Sequence, residues 1–212
     1  MRLLTLICLV LLSSCSQDTE VLTGPFLFRD GITYHQDTNE PVTGIVESFH
    51  DNGQLKGRVN FKDGKPDGLH EWFHDNGQLF SRGNLIDGER NGPFEGFHEN
   101  GQLFSRGNYI DGKEDGPSES FHENGQLHVS GNYKDGTEDG LFKMFYKDGQ
   151  LEARGNYKDG MEDGLWEKFY DNGQLNMKVY NTDGKPHGLS EYFDRDGNLT
   201  GTRTYENEVE VE

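Results

Sequence analysis

The amino-acid sequence predicts an all-β protein, an elongated single-layer antiparallel β-meander of about seven 24-residue hairpin repeats. Three observations predict it. The pentapeptide DNGQL at residues 51–55 returns as DNGQL at 75, ENGQL at 99 and 123, KDGQL at 147, DNGQL at 171 and RDGNL at 195, without insertion or deletion between copies. Three glycine series and one phenylalanine series keep the same step, running Gly53 to Gly197, Gly64 to Gly184, Gly44 to Gly188 and Phe49 to Phe193. Only 31% of the 212 residues are hydrophobic while 29 are glycine, which leaves too few apolar side chains for one large closed core. A helical repeat would instead carry several glycines per period in helix interiors, at about 1 kcal/mol each.

The chain opens MRLLTLICLVLLSSCSQ: one Arg, an apolar run from Leu3 to Leu12, the small residues Ser13 and Ser14, then Cys15. A permanent membrane helix takes about 20 apolar residues, so this shorter run predicts an export signal over residues 1–14. Leu12-Ser13-Ser14-Cys15 resembles the lipobox of bacterial lipoproteins, in which the cysteine becomes the lipidated first residue of the mature chain. The resemblance implies lipid attachment at Cys15, a lipidated tether over residues 15–24 and, with Ser16 next, an outer-membrane destination in a bacterial cell envelope. An ordinary cleaved signal with an incidental cysteine is the alternative. Cys8 lies inside the segment that would be removed, so stability is expected from the repeat and not from a disulfide framework.

The repeat domain is expected over residues 25–205. Asn-Gly or Asp-Gly between short alternating runs marks a hairpin, because a type I′ turn needs φ > 0 at both central positions. Placing Asn52 and Gly53 there sets 49 opposite 56, 48 opposite 57 and 47 opposite 58. Glu47 then faces Arg58, Glu71 faces Arg82, Glu95 faces Arg106 and Glu167 faces Lys178, which are the opposed charges that stabilise an antiparallel ladder. Two repeats depart, with Glu119 on Ser130 and Lys143 on Arg154. The same register puts Phe73 on Phe80 and Phe97 on Phe104, and on the other face Phe94 on Gly107 and Phe142 on Gly155. Each unit is expected to hold two strands of about seven residues, the turn, and a longer loop such as DGKPDG at 63–68, advancing the sheet by about 10 Å. The acidic C-terminal tail, ENEVEVE at 206–212, is expected to guard an exposed sheet edge.

Written out, the unit reads GLHEWFHDNGQLFSRGNLIDGERN at 68–91 and GLWEKFYDNGQLNMKVYNTDGKPH at 164–187. This resembles the MORN-repeat variant, marked by an aromatic pair before N-G-[QK]-L and a D-G-x-x-x-G loop after the second strand. The resemblance covers about residues 25–205. Many bacterial members are similar to the antitoxin component of the YwqK type of toxin-antitoxin system, which implies an antitoxin role here.

A net charge of −18 repels nucleic-acid phosphates and anionic lipid head groups, leaving a basic protein or a divalent cation as the expected class of partner. The membrane would be reached through the lipid anchor only. Nucleophile elbow, phosphate-binding loop and zinc-protease motifs are all missing, so no enzyme is expected. His50, His74, His98 and His122 share one column, but successive members stand about 10 Å apart, too far to share a metal. They are read as rings packed over Leu55, Leu79, Leu103 and Leu127. The loops holding Asp111, Glu114 and Asp115, then Asp135, Glu138 and Asp139, then Asp159, Glu162 and Asp163, offer carboxylates of the kind Ca²⁺ takes. Their spacing is not that of an EF-hand, and turn geometry with solubility accounts for them, so no cofactor is expected. The candidate partner-binding surface is the row Trp72, Phe94, Tyr109, Tyr133, Phe142, Tyr157 and Trp166, whose alternative role is to stiffen a sheet without a second layer. The function expected is a non-enzymatic, membrane-anchored repeat scaffold that neutralises a protein partner, with a basic toxin as the candidate, as an antitoxin or immunity protein does. The alternative is a structural or adhesive cell-envelope lipoprotein without a dedicated partner.

Overall fold

The computed structural model describes residues 20–206 and 209–211. The export signal expected over 1–14 and the lipid site expected at Cys15 lie outside the described residues. Among the described residues there is no helix.

One antiparallel sheet follows the chain in sequence order. Its hairpins are Gly44–Phe49 with Leu55–Lys62, Lys65–Phe73 with Leu79–Ile86, and Glu89–Phe97 with Leu103–Ile110. They continue as Gly116–Phe121 with Leu127–Lys134, Gly140–Phe145 with Leu151–Lys158, Met161–Phe169 with Leu175–Thr182, and Gly188–Phe193 with Leu199–Glu206. Each hairpin pairs with the next, and the ribbon does not close on itself. Val21–Leu22 pairs in parallel with Ile45 and Val46 at one end, while Val209–Glu210 folds back on Tyr205 and Glu206 at the other. The described part of the acidic tail thus covers part of the last edge.

Residues 26–35 form a separate two-stranded hairpin, Phe26–Arg29 with Ile32–His35, outside the 24-residue register. It docks on the first repeat where the Thr33 amide donates to the Gly64 carbonyl at 2.8 Å and the Gly64 amide donates to Val42 at 2.7 Å. Val42, fully buried, fills the junction.

The two turn types are the reverse of what the motif implies. At DNG the His50 carbonyl accepts from the Gly53 amide, and the His50 amide donates to Gln54. Only Gly53 has positive φ, at 84°, so the loop is three residues long, a type I turn closed by a left-handed glycine. The type I′ turn falls instead at Asp63-Gly64, with φ of 51° and 80° and Lys62 opposite Lys65. The expected loop DGKPDG is therefore a tight turn followed directly by strand.

The interior register nevertheless stands. Phe49 faces Leu55 and not Lys56, but a bulge restores the count, so Ser48 meets Gly57 and Glu47 meets Arg58. One residue of slip at the turn and one bulged residue cancel, and every interior rung keeps its predicted partner.

Candidate functional site

The Glu/Arg rungs join into one row across the ribbon. Glu47, Arg58, Glu71, Arg82, Glu95, Arg106 and Glu119 face one another in succession from strand to strand. Each of these arginines therefore has a carboxylate on both sides; Arg58 bonds Glu47 within its own hairpin, whereas Arg82 and Arg106, like Arg154 further along, turn to the next one. Arg82 donates through Nε to Glu95 at 2.6 Å, Arg106 does so to Glu119, and Arg154 does so to Glu167 at 2.6 Å. The pairs Glu71–Arg82 and Glu95–Arg106 are opposite in register, but their hydrogen bonds link hairpins rather than close them. The row is interrupted at Ser130 and Lys143, where Lys143 faces Arg154.

The His column links hairpins too. Nε2 of His50, His74, His98 and His122 lies 2.8–3.1 Å from the carbonyl of Phe73, Phe97, Phe121 and Phe145 in the following unit. A carbonyl only accepts, so Nε2 carries the proton in each. Tyr146 and Tyr170 continue the series through their hydroxyls to Phe169 and Phe193. Leu55 faces Phe49 and not His50 in register, and the column bonds across the repeat boundary, where a phenol serves as well as an imidazole.

On the face opposite the charged row, four of the predicted binding residues assemble into an edge-to-face ladder. Tyr133, Phe142, Tyr157 and Trp166 succeed one another with centroids 5.7, 4.8 and 5.2 Å apart. Phe142 and Trp166 are only 5% and 3% exposed, and the indole N–H donates to the Asn156 carbonyl at 3.1 Å. Their rings lie flat where the preceding strand has Gly131 and Gly155; a Cβ on either glycine would fall inside the ring. Phe142 is indeed opposite Gly155 in register, yet it leans the other way, as Phe94 leans onto Gly83 and not onto Gly107. Phe94 and Tyr109 form a second cluster, 5.7 Å apart, with the Arg90 guanidinium 4.1 Å above Phe94. Trp72 covers Gly57 and stays 37% exposed. Burial, aided by neighbouring Glu138 and by Glu114 or Glu162, pushes the phenols of Tyr133 and Tyr157 up.

The acidic loops serve separate purposes. Glu162 accepts from the Asn181 amide at 2.6 Å, the Glu114 carboxylate lies over Gly107, and Asp115 accepts from the Asp135 amide of the next turn at 3.3 Å. Asp111, Asp135 and Asp159 occupy left-handed turn positions. Among the described residues no three His, Cys, Asp or Glu side chains converge as metal ligands would.

Three well-exposed rings stand on the charged face. Phe49, Phe80 and Phe104 are 50%, 51% and 49% exposed. The expected pairs Phe73–Phe80 and Phe97–Phe104 do not form, because Leu79 and Leu103 take those rungs. Phe80 and Phe104 are the bulged residues, re-aimed against His74 and His98 at 5.1 Å each. An open groove of ≈ 610 Å³ lies between them. Alternation places these rings on the charged face but on the rungs of Phe73 and Phe97; the bulge takes them off those rungs.

Seven segments, residues 42–63, 66–87, 90–111, 114–135, 138–159, 162–183 and 186–207, match the MORN repeat variant family. The chain belongs to that family. Six of the seven matched MORN segments end on the aspartate that opens a type I′ turn: Asp63, Asp87, Asp111, Asp135, Asp159 and Asp183. A MORN unit is therefore one whole hairpin read from the residue after one type I′ turn to the start of the next.

No curated protein matches the chain. Among solved structures, the crystal structure of the GtfA/B complex bound to UDP and GlcNAc is similar over 62% of this chain and 23% of that one, at 10% identity and a TM-score of 0.22. The MORN chain thus spans under a quarter of that protein's length.

Proposed function

We propose that the protein is a non-enzymatic, lipid-anchored binding scaffold whose acidic ribbon captures and neutralises a basic protein partner, in the manner of an antitoxin or immunity protein. The observation that carries this reading is a net charge of −18 on a regular ribbon that presents exposed rings at Phe49, Phe80 and Phe104. Attraction over a Debye length raises the encounter rate with a basic partner and makes it salt-sensitive. Exposed rings add contact area at low entropic cost. The lipobox-like Leu12-Ser13-Ser14-Cys15 supports a lipid anchor at the outer membrane of a bacterial envelope.

Co-expression with the product of the neighbouring reading frame tests the reading. Growth should be rescued, and the purified pair should bind at low salt and weaken as salt rises. Absence of binding at low salt overturns it.

One observation favours a second reading, an envelope spacer without a dedicated partner. The His and Tyr bonds from each hairpin to the next make the array a continuous strut. Deleting residues 90–137, two whole periods, separates the two: a spacer tolerates the shortening, whereas a specific interface loses its partner.

A further inference from the structure

The groove between Phe80 and Phe104 is also lined by Phe97, His98, Glu99 and Glu123. Neither carboxylate belongs to an ion pair among the described residues. Both stand at turn tips in a column that begins Asp51, Asp75, Glu99, Glu123. The same column shows what such a site accepts. Three periods after Glu99 the equivalent residue is Asp171, and there Arg195 from the next turn pairs with it at 2.6 Å while lying 5.2 Å above Tyr170, the equivalent of His98. A guanidinium held between a ring and a turn-tip carboxylate is thus already built into the last unit, where the chain supplies its own arginine.

Spacing narrows the occupant. Equivalent residues of successive hairpins stand two strands, about 10 Å, apart along the ribbon. A polyproline II segment rises about 3.1 Å per residue with three residues per turn, so every third side chain returns to one face after about 9 Å. Aromatic-lined grooves are the usual receptors for that conformation.

Resting on the reading that the partner is a basic protein, we infer that this groove takes an extended, polyproline II-like basic segment, with a cation at every third residue. Its cations meet Glu99 and Glu123 and its backbone crosses between the Phe80 and Phe104 rings.

A fluorescein-labelled (Arg-Pro-Pro)4 peptide tests this against the purified full-length protein by anisotropy, with (Glu-Pro-Pro)4 as control. Phe80→Asn with Phe104→Asn is the informative variant, because Asn176 holds the equivalent position in its own unit and the fold accepts a polar side chain there. The melting temperature should stay near the parent value while peptide affinity falls at least tenfold. Glu99→Gln with Glu123→Gln should weaken binding similarly and flatten its salt dependence. The inference is overturned if the parent protein ignores the arginine peptide, or if it binds both variants as tightly as the parent. The protein partner is measured in parallel: equal binding to the parent and both variants removes this groove but leaves the proposed function, and no binding to the parent removes the function itself.

Discussion

The Asn52 side chain joins two repeats: its Nδ2 donates to the carbonyl of Asp75 at 2.8 Å, while its Oδ1 accepts from the Gln54 amide in its own turn at 2.9 Å. Asn76, Asn100 and Asn124 repeat the arrangement toward Glu99, Glu123 and Lys147, as Asn172 does toward Arg195. Next to them, Gln54, Gln78 and Gln102 lie over Gly77, Gly101 and Gly125 of the following turn. The repeated DNGQL therefore shapes a turn and also binds that turn to its successor.

Replacing Asn100 by Asp isolates the second role. The carboxylate keeps the acceptor for Gln102 and loses the donor to Glu123, as Asp148 does naturally in accepting from Gln150. Loss of one hydrogen bond predicts a destabilisation of about 0.5–1.5 kcal/mol in urea unfolding. An unchanged midpoint would show that the inter-repeat bond contributes nothing.

Gly155→Ala places a methyl group inside the Trp166 indole, whereas a Cβ at Gly201 meets nothing within 4 Å. Overpacking of this kind costs about 1–3 kcal/mol. The melting temperature of Gly155→Ala should fall clearly, and that of Gly201→Ala should stay close to the parent. Equal effects would contradict the close ring-on-backbone contact.

His70 is 4% exposed, and its Nδ1 is buried without a hydrogen-bond partner. Burial, then the Arg90 charge, lowers its pKa below the ordinary 6.5. The unfolded chain therefore takes up the proton first as pH falls. The stability linked to this group is complete above about pH 6.5 and declines below it toward the lowered folded value. His70→Phe, which matches Phe94 and Phe142 in the same column, should remove this share of the acid loss. Melting curves between pH 7.5 and pH 5 check it; parallel losses in variant and parent would reject it.

Cys15→Ser should abolish incorporation of labelled palmitate and move the protein from the membrane to the soluble fraction. Retention of the variant in the membrane fraction would remove the anchor from the proposed function.

Much of the fold was legible in the sequence because a period of 24 residues without an insertion makes every hairpin report the same register. Glu47 opposite Arg58 and Phe142 opposite Gly155 were predicted and are present. The sites were less legible. Trp72, Phe94, Tyr109, Tyr133, Phe142, Tyr157 and Trp166 were expected to present a surface, yet Phe142 and Trp166 are buried over glycines, where a ring gains contact with bare backbone. Phe80 and Phe104 were expected opposite Phe73 and Phe97, and a bulge takes them off those rungs.

By itself the sequence determined the all-β class, the strand count per unit and the partner across each interior rung, since these follow from period and alternation. Only the tertiary structure decided which way each side chain leans once its rung is set. A strand residue between two neighbours has two partners of equal register, and the choice between them depends on bulges, bare glycines and the next hairpin's carbonyls, none of which the alternation of one strand encodes. That choice sends Arg82 to Glu95, Trp166 onto Gly155, and Phe80 into the groove.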